Sequence, residues 1–225
     1  MVRRGRAFSL QTVCQLGITI LRQFESLHKI GKVYNNLNLN NIVTIDGLTN
    51  GAIDTTNTDS THLQHPLLTN LCFCSDYLDT WGNHIQPGTV TAFKGNIAFS
   101  SVYAMGFLTP SRRDDLISLA YLLIYLVQGR LSILQNVNSL NKSQSFQNVY
   151  EAKMELTAAK LCSESPLGMQ FIDFVTEIFN LEFADSPNYF SLAIKLLDIM
   201  FKNGVELTNE YDWSSLPPQK TQFGQ

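Results

Sequence analysis

The residues best equipped for chemistry fall in one asparagine-rich stretch, Asn35-Asn36-Leu37-Asn38-Leu39-Asn40-Asn41, and in the carboxylates Asp76, Asp79 and Asp115. A carboxamide donates and accepts hydrogen bonds, but it stays neutral and takes no proton near pH 7. Asn36 and Asn38 can therefore supply neither a general base nor a positive charge. Asn41 has two roles open to it, bonding its own loop backbone or offering an oxygen to a hard cation. Of the four histidines, His28 stands at the end of a helical pattern, while His62, His65 and His84 lie in loop-like sequence. His62 and His65 are close enough for an adventitious metal, though a solvated loop accounts for them better. The cysteines are Cys14, Cys72, Cys74 and Cys162. Cys72 and Cys74 would share one face of a strand in a core, and a zinc site would need a second pair that is lacking.

These residues need a scaffold, and the hydrophobic periodicity predicts one. Ser9 to Lys29 reads as a helix with Ser9 as N-cap and Gly31 at its end. Its apolar stripe is Val13, Leu16, Gly17, Ile20, Phe24 and Leu27. Asparagine tolerates turn and left-handed conformations, so 33–41 reads as an ordered loop. Ile42 to Ile45 and Leu71 to Cys74 are expected to form a small hairpin. The polar connection 46–70 between them is expected to be a mobile insertion. Asp114 to Val127 is apolar almost all round, the signature of a central helix packed on several sides. Gln135 to Gln147 reads as loop. Glu151 to Cys162, Gly168 to Asn180 and Tyr189 to Lys202 read as helices. The expected organisation is one domain over 1–213, with a flexible tail over 214–225.

The chain has 225 residues, of which 44% are hydrophobic and 16% charged, and its formal net charge is −3. That balance provides no electrostatic grip on nucleic acid or an anionic membrane. No apolar run is long enough to span a bilayer and no secretory leader opens the chain. The expectation is an intracellular protein, cytoplasmic or nuclear, with reduced thiols.

A more specific pattern runs through Leu27-His28-Lys29-Ile30-Gly31-Lys32-Val33-Tyr34-Asn35-Asn36-Leu37-Asn38-Leu39-Asn40-Asn41. It resembles the L-H-x-x-G helix end and the H-R-D-L/I-K-P-x-N catalytic loop of protein kinases. Tyr34, Asn35 and Asn36 stand at the His, Arg and Asp positions, Asn38 and Leu39 at Lys and Pro, and Asn41 keeps the final Asn. Ser111-Arg112-Arg113-Asp114-Asp115-Leu116-Ile117-Ser118-Leu119-Ala120-Tyr121 resembles the S-R-R-D-D-L-E-S-L-G-Y string of casein kinase I. Gly95-Asn96-Ile97-Ala98-Phe99-Ser100-Ser101-Val102 resembles that family's G-T-A-R-Y-A-S-I, and Phe8-Ser9-Leu10-Gln11-Thr12-Val13 its F-S-L-K-T-V. Leu161-Cys162, Asp185-Ser186-Pro187-Asn188-Tyr189 and Tyr211-Asp212-Trp213 match its late helices more loosely.

The resemblance implies a mainly α fold, the C-terminal lobe of a protein kinase with a small β-hairpin. No G-x-G-x-x-G and no V-A-I-K-like strand occurs, so the N-terminal lobe is expected to be absent. Asp76-Tyr77-Leu78 is the match to D-F-G, with Asp79 the second candidate. The resemblance gives Asp115 and Arg113 structural roles, Asp115 accepting backbone N–H groups of the catalytic loop. The degenerate positions Tyr34, Asn35, Asn36 and Asn38 imply a pseudokinase that binds a protein partner, with no cofactor. The alternative is a serine/threonine kinase, whole or in part, using ATP and Mg²⁺ with Asn41 and Asp76 as vestigial ligands. Lys94 is the one basic residue between Trp81 and Lys94, which leaves little to grip a phosphorylated substrate.

Overall fold

A computed structural model describes residues 7–46, 48–49, 52–53, 64–135, 137, 141–208 and 210–214. Helix α1 spans Leu10–Lys29, and the Ser9 hydroxyl caps it by accepting the Thr12 N–H. Strand β1, Lys32–Val33, follows Gly31, whose φ of +79° suits glycine. It pairs antiparallel with β6, Ser75–Asp76. Strand β2, Ile42–Asp46, pairs antiparallel with β5, Gln64–Leu68, with Ile42 opposite Leu68. Strands β3, Leu48–Thr49, and β4, Ala52–Ile53, form a short ladder between them. The hairpin partner of 42–46 is thus 64–68 and not 71–74. Leu71–Phe73 is a 3₁₀ turn, with Cys72 exposed and Cys74 half-buried. The shared strand face expected for these two cysteines does not form. Within 46–70, residues 47, 50–51 and 54–63 lie outside the described residues, as does the tail beyond 214.

The second half is helical. Helix α2, Val102–Met105, is a single turn, and α3, Arg112–Gln128, is the axis of the molecule. Leu116 to Ile124 is buried without interruption, and Gly129 ends the helix in the left-handed region at φ +76°. Helix α4, Lys142–Met154, lies partly where the polar sequence suggested a loop. A break at 155–157 separates it from α5, Ala158–Cys162, so the single helix expected over 151–162 is two. Thr157 starts α5 by capping the Lys160 N–H. Helices α6, Pro166–Met169, and α7, Ile172–Phe179, replace one continuous element, and α8, Tyr189–Lys202, closes the set.

Helix α1 packs against both α3 and α8. The approach is close at Gly17, where a Cβ would sit 2.8 Å from Leu123 Cδ1 and from Leu196 Cδ1. The segment 208–214 then returns to the start of α1. Asp212 accepts from the Ser9 N–H at 2.6 Å and the Ser9 hydroxyl at 2.5 Å, and its own N–H donates to Thr12 Oγ1. Trp213 meets Phe8 edge to face and stacks on Tyr211. No helix among the described residues is long and apolar enough to cross a membrane.

Candidate functional site

The asparagine-rich loop is suspended from α3. Asp115, in the first turn of that helix and buried, accepts the Tyr34 N–H at 2.6 Å and the Asn35 N–H at 2.8 Å. Its Oδ2 also bonds His28 Nε2 at 2.9 Å. A carboxylate only accepts, so Nε2 carries a proton, and Nδ1 bonds the Tyr189 hydroxyl at 2.5 Å. One carboxylate thereby fixes the end of α1, the loop and, through His28, α8. The turn itself needs a left-handed residue, and Asn35 supplies it at φ +65°. Its amide Nδ2 donates to Phe73 O and Ser75 Oγ, tying the loop to the start of β6 and the turn before it.

Inside the loop the carboxamides bond mainly to one another and to backbone. Asn38 Nδ2 donates to Asn36 O and Asn36 Oδ1, and Asn38 Oδ1 accepts the Asn40 N–H. Asn41 is buried. Its Nδ2 donates to Asn36 O at 2.9 Å, and its Oδ1 accepts from Asn70 Nδ2 at 3.3 Å. Asn70 also has left-handed backbone, at φ +58°. Tyr34 is buried beneath the loop and donates to Thr69 O, and burial pushes its phenol up to about 12.

Asp76 is placed differently. Its side chain is 65% exposed and pairs with Lys32 Nζ at 2.6 Å across the β1–β6 ladder. Among the described residues it shares no bonding partner with Asn41. Asp79, the second candidate, caps a surface turn. The Asn83 amide first, with the Trp81 amide, holds its carboxyl below the usual range. Asn70 is the residue the sequence reading passed over. The D-F-G pattern places an acid after a strand, and the side chain that reaches Asn41 is an amide after a strand.

The neighbouring segment is held from three sides. Asn96 donates to Leu37 O, linking it to the loop. Gly95 at φ +127° lies so close to Asn35 O that a Cβ would sit 2.8 Å from it. Lys153, buried on α4, donates its three N–H bonds to Ile97 O, Ala98 O and Ser100 O, with the Tyr121 ring 4.5 Å away. Burial pulls its ammonium well below the usual lysine range, and the three carbonyls oppose that pull by solvating the charge. Arg112 donates to Ala184 O and covers Tyr77, while the Arg113 guanidinium stacks 3.5 Å over Tyr103. Both arginines are thus occupied with neighbouring segments. A cleft of about 450 Å³ opens beside the loop, lined by Asn35, Ser75, Asp76, Thr89, Lys94 and Thr109 among others. Lys94 is the one basic group on its wall among the described residues.

A Mg²⁺ ion prefers carboxylates beside substrate phosphates. The pair that meets here, Asn41 and Asn70, is two neutral amides bonded to each other, and it does not fit that ion.

No family model matches the chain. It is similar to casein kinase I homolog 2 of Schizosaccharomyces pombe, 24% identical over 213 residues that make up 94% of this chain and 46% of that protein. It is 28% identical over 205 residues to a probable casein kinase I homolog of Encephalitozoon cuniculi, covering 91% of this chain and 59% of that one. Against casein kinase I homolog RAG8 of Kluyveromyces lactis the figures are 25%, 94% and 37%. The chain is casein kinase I-like along nearly all of its length and spans about half the length of these curated relatives.

Proposed function

We propose that this casein kinase I-like chain is a C-terminal-lobe-type domain that transfers no phosphoryl group and works, inside the cell, by binding a protein partner. The observation that carries the reading is the Asn41–Asn70 contact. Kinases hold their metal ions between the D-F-G aspartate and the catalytic-loop asparagine. The residue that bonds Asn41 is Asn70, and in this reading Asn70 stands in the place of that aspartate and Asp76 does not. The base position, Asn36, and the phosphate-facing position, Asn38, are amides as well. Base, charge and metal are lost together, while the framework that would hold them is kept. A general base alone contributes about 10²–10⁴-fold.

Thermal denaturation with and without Mg-ATP tests this. A ligand bound at about 100 times its Kd would stabilise by about 2.7 kcal/mol, and the midpoint is expected to show no such rise. A Mg²⁺-dependent rise, or transfer of labelled phosphate to casein, would overturn the reading.

The second reading, a serine/threonine kinase using ATP and Mg²⁺, draws on the relatives, all named as casein kinase I homologs. The variant Asn36→Asp separates the two. An enzyme short only of its base would gain measurable transfer, and a domain that also lacks its metal ligands would gain none.

A further inference from the structure

Helix α8 turns one apolar face to the core and leaves another bare. Leu192, Leu196, Ile199 and Met200 are buried. On the opposite side Phe190 is 76% exposed, Ile194 44% and Phe201 84%. With the half-buried Leu197 they are spaced four, three and four residues apart. At 3.6 residues per turn they fall within an arc of about 60°. That spacing is the seam of a helix pair, and bare aromatic and aliphatic ridges of this kind mark interaction surfaces.

The ridge has the same spacing and residue classes in both directions, Phe-x-x-x-Ile-x-x-Leu-x-x-x-Phe, with aromatics at its ends and aliphatics in its middle. A two-fold contact sets each residue against its mirror position. An antiparallel second copy, centred between 195 and 196, sets Phe190 against Phe201 and Ile194 against Leu197. The charged flank agrees. Lys195 and Asp198 lie on the same side of the ridge, and antiparallel pairing brings that side against itself with its direction reversed. Asp198 then falls about 3 Å along the axis from Lys195 of the other copy, which stands about 130° round the helix from the middle of the ridge. The pairing is thus one of opposite charges on one flank of the seam and not a close salt bridge, and it occurs twice. Within one chain Asp198 pairs with the exposed Lys202, a partner easily exchanged at a surface, and Lys195 pairs with the half-buried Glu177. A parallel arrangement puts the charged flanks on opposite sides and forms neither pair.

We infer that this chain self-associates through α8, two copies pairing antiparallel along Phe190, Ile194, Leu197 and Phe201. The ridge is about 17 Å long, below the size of a standard interface, so the dimer is weak and reversible. This goes beyond the reading of the loop and does not depend on it.

Sedimentation equilibrium of the full chain, from micromolar to millimolar, is expected to show a monomer–dimer equilibrium. Ile194→Asp, which would bury an unpaired carboxylate, is expected to weaken it at least about tenfold while leaving the thermal midpoint of the monomer unchanged. A chain monomeric throughout, or a dimer indifferent to Ile194→Asp, overturns the proposal. Register is tested in a Cys72→Ser background with a short bismaleimide. Mixing Phe190→Cys with Phe201→Cys is expected to yield cross-linked dimer. Phe190→Cys alone is expected to yield none, since two copies of position 190 lie about 16 Å apart along the axis. Efficient cross-linking of position 190 to itself would overturn the antiparallel arrangement.

Discussion

Asp115 and Asp76 are both aspartates beside the loop, and their surroundings give them opposite weight. Asp115 is buried with three donors on two oxygens. Removing it leaves two backbone N–H groups and an imidazole without acceptors. Asp115→Ala is expected to cost about 3 kcal/mol or more, read from the urea midpoint. Asp76 forms one exposed pair, and Asp76→Ala is expected to cost less than about 1 kcal/mol. Equal losses would refute the distinction. Asp114 allows a pH test. Burial raises its pKa, and Arg113 and the Ser101 hydroxyl only partly offset that. Its folded pKa lies above the unfolded one, so the native state holds the extra proton between the two. The stability this provides is full below the ordinary aspartate range and falls as pH rises through the raised value. Asp114→Asn should flatten that slope in denaturation curves taken from about pH 3 upward, because the unfolded group titrates near about 4. A slope unchanged by the substitution would mean another group titrates there. The loop's asparagines and Asp115 stand out in the sequence because their strings are distinctive. Asn70 does not, because its role depends on a contact across 29 positions of chain.

Elements with an apolar stripe were legible and those without one were not. Helix α1 begins after its serine cap as the spacing predicts, and α8 has the predicted bounds, Tyr189–Lys202. Helix α4 buries only Ser145, Val149 and Lys153, a pattern too polar for periodicity to reveal. Strand β5 contains Pro66, which reads as a strand breaker and is tolerated here in a two-stranded ladder. The polar character of α4 has a purpose, since Lys153 holds 97–100 in place through three carbonyls. Lys153→Met keeps the length and loses all three bonds. It is expected to cost about 2 kcal/mol or more and to speed amide exchange in 95–101 ahead of the α3 core. Unchanged exchange there would mean that the segment is held by Asn96 and Gly95 alone.

Across the whole molecule, the ends of the described chain are fastened to each other. The first turn of α1 receives Asp212, and Phe8 receives Trp213, so a segment late in the sequence completes the packing of the first helix. Helix α1 in turn contacts α3 and α8, and α8 reaches the loop through Tyr189 and His28. The consequence is one cooperative body in which the 208–214 return is coupled to the loop, although the two are far apart in sequence. Trp213→Ala removes the ring between Phe8 and Tyr211 and is expected to cost about 2 kcal/mol. Near-ultraviolet circular dichroism and tyrosine fluorescence should then shift to the same lower midpoint, in a single transition. Two separated transitions would show that the return folds apart from the helices, and the loop would then owe its order to Asp115 and its own amides.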